Sequence, residues 1–257
     1  MIEKWGIPVT PITGKKKPRK VYVYLPKAAE EDPKARFPVL YMFDGHNVFF
    51  DDDATYGKSW DMGDYLDATE TPLIVVAVDC NHRPPHGRLS EYSPFTFSEP
   101  GFGRVIGRGR KFMDWLCGTL KPLIDERYPT LPERETTWIA GSSMGGLMSL
   151  FAVSEFNHVF SRAAALSPSV WAGHCKMEQT IRHTKFGPDT VVYMDYGSEE
   201  LKGQEYMRGY YLRCVRALME RGVYVTSRVV PGGTHSEASW ERQIPFFLPI
   251  LMYETDD

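Results

Sequence analysis

Short apolar runs bounded by Pro, Gly and Asp alternate along this chain with longer segments whose apolar positions recur every three or four residues. The first pattern suits strands and the second suits helices, because side chains alternate faces on a strand and return to one face each turn of a helix. Residues 20–25 alternate β-branched and aromatic side chains and predict a strand. Residues 37–43 form an apolar run that ends at Asp44-Gly45. Residues 72–79, with Leu73-Ile74-Val75-Val76-Ala77-Val78, are apolar almost throughout, the pattern of a strand covered on both faces. Residues 136–140, 160–166, 190–193 and 223–230 complete the predicted strand set. Helices are predicted over 112–128, from the glycine-rich turn after Ala140 through about Val153, over 202–221, and over 237–251.

Strands separated by helices imply βαβ units and a mostly parallel sheet with helices on both faces, so the fold class is α/β. No repeat, low-complexity stretch or linker divides the 257 residues, so 1–257 is read as a single domain. The stretch 81–110, rich in Pro, Gly, Arg and Ser, reads as a long loop, and loops of that length in compact domains tend to serve function or lack order.

Composition narrows the picture by exclusion. Hydrophobic residues make up 42% and charged residues 25%, ordinary for a globular chain, and a net charge of −3 supplies no drive toward nucleic acid or an anionic membrane. The basic run Lys15-Lys16-Lys17-Pro18-Arg19-Lys20 is read as a solvated hairpin turn, because nothing basic or aromatic continues it. The first residues lack the apolar core of a signal peptide, and no apolar stretch approaches the roughly 20 residues that span a bilayer. Residues 244–253 are short and carry Pro245 and Pro249. Cys80, Cys117, Cys175 and Cys214 are widely spaced, so reduced thiols and a cytoplasmic location are expected.

The chemistry begins at Gly141-Ser142-Ser143-Met144-Gly145-Gly146, between a predicted strand and a predicted helix. The Gly-x-Ser-x-Gly spacing alone occurs by chance in about one chain in ten of this length. Its context is more specific. Glycines on both sides permit a tight strand-to-helix turn that pushes Ser143 into a strained, exposed position, and the helix that follows aims its amides at developing negative charge. A serine hydroxyl needs a base. On such a turn the partners follow in the order serine, carboxylate, histidine. Of the seven histidines, His82 and His86 precede the serine, and His158, His174 and His183 fall in or near helices. His235 alone follows the last predicted strand, in Pro231-Gly232-Gly233-Thr234-His235-Ser236-Glu237. Asp195, Glu199 and Glu200, after the strand at 190–193, are the candidate carboxylates. Other chemistries fare poorly. The glycines of 101–109 lack the Lys-Ser/Thr ending of a phosphate loop, and Asp51-Asp52-Asp53 reads as a solvated loop. His82 and His86 are kept off a regular helix by Pro84-Pro85 and show no third ligand, so no metal is assigned.

With these motifs the chain resembles the putative-esterase family of α/β hydrolases, which includes esterase D, enterochelin esterases, feruloyl and acetylxylan esterases and the mycolyltransferases. The resemblance runs from about Lys20 to Leu251. It rests on Leu40-Tyr41-Met42-Phe43-Asp44-Gly45-His46-Asn47-Val48-Phe49, Arg88-Leu89-Ser90-Glu91-Tyr92-Ser93-Pro94, the Ser143 turn, and Gly233-Thr234-His235-Ser236-Glu237-Ala238-Ser239-Trp240. It implies an α/β-hydrolase fold, and it places the acid on Glu200, third after the glycine of Gly197-Ser198-Glu199-Glu200. It also implies an oxyanion hole made by the backbone amides of His46 and Met144. Some members have His-Gly where this chain has Asp44-Gly45, and many have aspartate at the position of Glu200. The implied reaction is hydrolysis of a small-molecule or saccharide ester (aryl, acetyl-sugar or siderophore) through an acyl-enzyme, with no cofactor. Trp60, Tyr92 and Trp171 are candidate substrate-lining aromatics. An acyltransferase would share the acyl-enzyme, and an inactive binding protein would share only the fold. The arginines of 81–110 (Arg83, Arg88, Arg104, Arg108 and Arg110) are candidates for greeting an acidic substrate.

Overall fold

The computed structural model describes residues 1–14, 17–173, 175–200 and 206–253. Lys15 and Lys16 of the basic run, His174, and the start of the helix expected from residue 202 lie outside the described residues.

Among the described residues, eight strands form one sheet: β1 (Ile2–Pro8), β2 (Pro18–Tyr24), β3 (Val39–Phe43), β4 (Ile74–Val78), β7 (Thr137–Ser142), β8 (Arg162–Leu166), β9 (Val191–Gly197) and β10 (Tyr224–Val230). Their order is β1-β2-β4-β3-β7-β8-β9-β10. The pairs β1/β2 and β2/β4 are antiparallel, and every other pair is parallel. Two short strands, β5 (Phe97–Glu99) and β6 (Gly103–Val105), make a separate hairpin. No helix is long and apolar enough to cross a membrane among the described residues.

Alternation along the central strands explains why both faces are covered. Val39, Tyr41 and Phe43 enter one buried cluster while Leu40 and Met42 enter the other, and Ile74, Val76 and Val78 part from Val75 and Ala77 in the same way. The near-continuous apolar run of β4 therefore stabilises two cores at once. The small side chains of β8 let the helix Met144–Glu155 approach closely, and a Cβ on Gly146 would stand 2.8 Å from the Leu166 carbonyl oxygen.

Several elements depart from the sequence pattern. The strand β1 pairs along its whole length with β2, yet most of it is half-buried or exposed, so no clean alternation marks it. The stretch 81–110 is not structureless: it holds the helix Gly87–Glu91 and the β5/β6 hairpin. Helices Met62–Ala68 and Lys176–His183, each about two turns long, lie outside the predicted set. The helix expected over 237–251 is two, Glu237–Glu241 and Ile244–Met252. Pro245 opens the second, where a missing N–H costs nothing.

Candidate active site

The carboxyl ends of the parallel strands gather the chemistry-bearing residues on one edge of the sheet, as expected for open α/β folds. Ser143 follows β7 and opens the helix Met144–Glu155 with φ 58° and ψ −120°, a conformation that strains any residue with a Cβ. The turn is tight because a Cβ on Gly141 would meet the Gly145 backbone at 2.9 Å. The Ser143 amide donates to the Leu166 carbonyl at 2.9 Å, which locks the turn onto β8.

His235 lies in the loop after β10, and its Nε2 is 2.9 Å from Ser143 Oγ. Its Nδ1 is 2.8 Å from Glu200 Oε2. The other carboxylate oxygen, Oε1, accepts from the Gly197 amide at 2.7 Å and the Ser167 hydroxyl at 2.6 Å. Ser167 Oγ in turn accepts from Trp240 Nε1 at 2.9 Å, and the Trp240 ring stands edge-on to His235 at 5.0 Å. A carboxylate so oriented has one oxygen left for the imidazole.

The other two candidate carboxylates sit elsewhere. Asp195 is inside β9, 1% exposed, where it accepts from the Tyr193 hydroxyl at 2.8 Å. Burial pushes its carboxyl up to about 6. Glu199 accepts from the Ser198 hydroxyl at 3.3 Å and donates its amide to the Gly233 carbonyl.

His46 is in the 3₁₀ turn Gly45–Asn47 after β3, and Met144 is the first residue of its helix. Amides in a first turn have no acceptor within their own helix. The turn that carries His46 is held from three sides. Asp44, at φ 55°, takes both Nε and Nη2 of Arg88 at 2.7 Å. Its amide donates to the Tyr92 hydroxyl at 3.2 Å. Asn47 Nδ2 donates to Glu237 Oε1 at 2.9 Å, tying the turn to the histidine loop.

Two of the three candidate lining aromatics are corrected. Trp60, 3% exposed, packs against Trp240 and Phe247 in one of the cores. Tyr92 is fully buried between Phe43 and Phe112, behind the Asp44 turn. Both rings are taken up by packing, and neither lines the two cavities that meet Ser143. Trp171 lines a cavity of about 500 Å³ beside Ser143 and His235, stacked on Phe102 from the β5/β6 turn at 6.0 Å and 17°. Tyr196, Tyr206 and Tyr211 line the same cavity. Of the arginines of 81–110, Arg88 is committed to Asp44 and Arg110 to Glu155. Arg83 lines a second cavity of about 570 Å³, which meets Ser143 and His235 from the other side and includes His46, Cys80 and His82. The sequence offered no sign of Ser167, whose role depends on β8 and β9 lying side by side.

A family model described as "Putative esterase" matches residues 13–249. The protein YbbA of Bacillus subtilis (strain 168) is 25% identical over 211 residues, 79% of each chain. An IroE-like serine hydrolase from Shewanella oneidensis superposes with a TM-score of 0.74 at 19% identity, over 98% of this chain and 79% of that one. A ferulic acid esterase from Anaeromyces mucronatus, solved with ferulic acid, gives 0.65 at 19% identity over 98% and 89%.

Proposed function

This chain belongs to the putative-esterase family and is a carboxylic ester hydrolase, and from that premise we propose that Ser143 is its nucleophile, His235 its base and Glu200 the acid that orients the base. The observation that carries the reading is the unbroken hydrogen-bonded line from Ser143 Oγ through His235 to Glu200, at 2.9 and 2.8 Å. Ser143 Oγ attacks the ester carbonyl while His235 Nε2 takes its proton. Glu200 holds the imidazole proton on Nδ1 and stabilises the imidazolium without itself being protonated. The amides of His46 and Met144 receive the developing oxyanion, each worth about 3 kcal/mol in comparable sites. His235 then protonates the departing alcohol, and water hydrolyses the acyl-enzyme by the same steps in reverse order.

For the substrate we propose an ester with an aromatic acyl group. The support is the cavity beside Ser143, walled by Trp171, Phe102 and three tyrosines, since flat rings pack well against aromatic walls. Acetyl-sugar and siderophore esters are the competing classes. The test is turnover of p-nitrophenyl acetate and labelling by a fluorophosphonate, each with wild type and Ser143→Ala. Wild type should turn over and label, and Ser143→Ala should lose roughly 10⁶-fold in kcat and fail to label. Retention of either property by Ser143→Ala would remove Ser143 from the mechanism. A panel of feruloyl, acetyl-xylose and catecholate esters then ranks the substrate classes by kcat/KM.

A further inference from the structure

The strands β3 and β4 are parallel neighbours with Phe43 opposite Val78, so the segments that leave their carboxyl ends run side by side. One carries His46 and the other carries Asp79, Cys80 and His82. His46 Nδ1 is 2.7 Å and His82 Nε2 is 2.8 Å from the same oxygen, Asp79 Oδ1. Cys80 Sγ is 3.8 Å from His82 Nε2. One donor atom from each of the four residues lies within 4.8 Å of all the others. Around a zinc ion with bonds near 2.0 Å to nitrogen or oxygen and 2.3 Å to sulfur, tetrahedral neighbours in a set with one sulfur are about 3.3–3.5 Å apart. Small side-chain shifts close that difference.

A second observation points to a ligand. His46 is only 8% exposed, and its Nδ1 has no hydrogen bond of acceptable direction, although Asp79 Oδ1 is at hydrogen-bonding distance. The opposite nitrogen, Nε2, is 2.9 Å from Thr55 Oγ1. An imidazole oriented by an outer hydrogen bond, with its other nitrogen aimed inward at a cluster of donors, has the arrangement of a metal ligand. Asp79 Oδ1 is also crowded, because the Cys80 amide donates to it at 2.7 Å beside the two imidazoles.

Charge is consistent with a dication. One carboxylate and one thiolate neutralise a divalent ion, and two neutral imidazoles complete the shell. The His82 side chain is 59% exposed, which gives the ion a path from the second cavity.

We propose that His46 Nδ1, the Asp79 carboxylate, Cys80 Sγ and His82 form a tetrahedral site for a divalent metal ion of the zinc class. A thiolate with two imidazoles favours zinc over magnesium or calcium, which prefer all-oxygen shells. Cys80 binds as thiolate and its proton passes to solvent. The site is distinct from the line of Ser143, His235 and Glu200, and it does not depend on the hydrolytic reading. Because His46 belongs to the turn held by Asp44 and Asn47, a bound ion would fasten that turn to the segment after β4.

The experiment loads the full chain with zinc after chelator treatment and measures retained zinc per chain, with affinity from competition against a chromogenic chelator. Wild type and His235→Ala should each retain one zinc. Cys80→Ser and His82→Ala should weaken binding by more than about tenfold, the loss found even for outer partners of a ligand. Cobalt loading should produce a thiolate charge-transfer band that Cys80→Ser abolishes. His82 is largely exposed, so its variant keeps the test valid if Cys80→Ser fails to fold. Failure of wild type to retain zinc, undiminished binding in His82→Ala, or loss of binding in His235→Ala would each overturn the proposal.

Discussion

Replacing Glu200 by glutamine keeps the shape of the side chain and changes which atoms can face which partners. Glu200 Oε1 accepts from the Gly197 amide and the Ser167 hydroxyl. The Ser167 hydroxyl already accepts from Trp240 Nε1, so its own proton points at Glu200. In Glu200→Gln the amide oxygen must occupy that position, because both neighbours donate. The amide nitrogen is then turned toward His235 Nδ1, where it donates. A proton cannot remain on Nδ1 facing an N–H, so it moves to Nε2, which lies 2.9 Å from Ser143 Oγ and can no longer accept from it. The comparable tautomer error in a serine protease lowers kcat about 10⁴-fold, or roughly 5 kcal/mol of transition-state stabilisation. The expected result is that loss in kcat for p-nitrophenyl acetate, with KM little changed and an unaltered thermal melt. Glu200→Asp, which restores an acceptor, should recover part of the rate. A Glu200→Gln enzyme within about tenfold of wild type would refute the tautomer argument and with it the assignment of Glu200.

Asp195 tests the rival carboxylate through stability. Its folded value, raised to about 6 by burial, lies above the ~3.9 of an unfolded chain, so the wild type loses stability as pH rises through that window. Asp195→Asn should gain on wild type by up to ~3 kcal/mol between about pH 4 and pH 6 in urea unfolding, and parallel stability curves would contradict this. The ion pair of Arg19 and Glu91, with side chains 6% and 0% exposed, makes a further case. Arg19→Met leaves a buried carboxylate unpaired and should cost ~3–5 kcal/mol, while Arg19→Met with Glu91→Leu should recover most of it in chemical denaturation. Trp171→Ala should lower kcat/KM for a feruloyl ester roughly tenfold more than for an acetyl ester, reflecting ~1–2 kcal/mol of aromatic contact, and equal losses would count against an aryl-binding cavity.

The buried strands were readable from the chain because residues 39–43 and 74–78 must satisfy two cores, which leaves an apolar run that local pattern reveals. That Ser143 and His235 would come together was readable for a different reason. A strand, a glycine-bounded turn and a helix are consecutive in sequence, and the serine-to-histidine order follows the chain. The choice among Asp195, Glu199 and Glu200 was open to local pattern because β9 runs four residues past its expected end at Tyr193, to Gly197. That extension carries Asp195 into the sheet and leaves Glu200 in the turn beyond it, beside Ser167 of the neighbouring segment. Trp60, Tyr92 and Trp171 are alike as sequence, and only packing buries the first two and leaves the third on a cavity. His46 meets Asp79, Cys80 and His82 for the same reason, since parallel pairing joins segments more than thirty residues apart. Local propensity and spacing determined the strands, the turn and the order of the chemical groups. Which distant side chains share one edge of the sheet was decided by strand order and burial, which arise only when the whole chain packs.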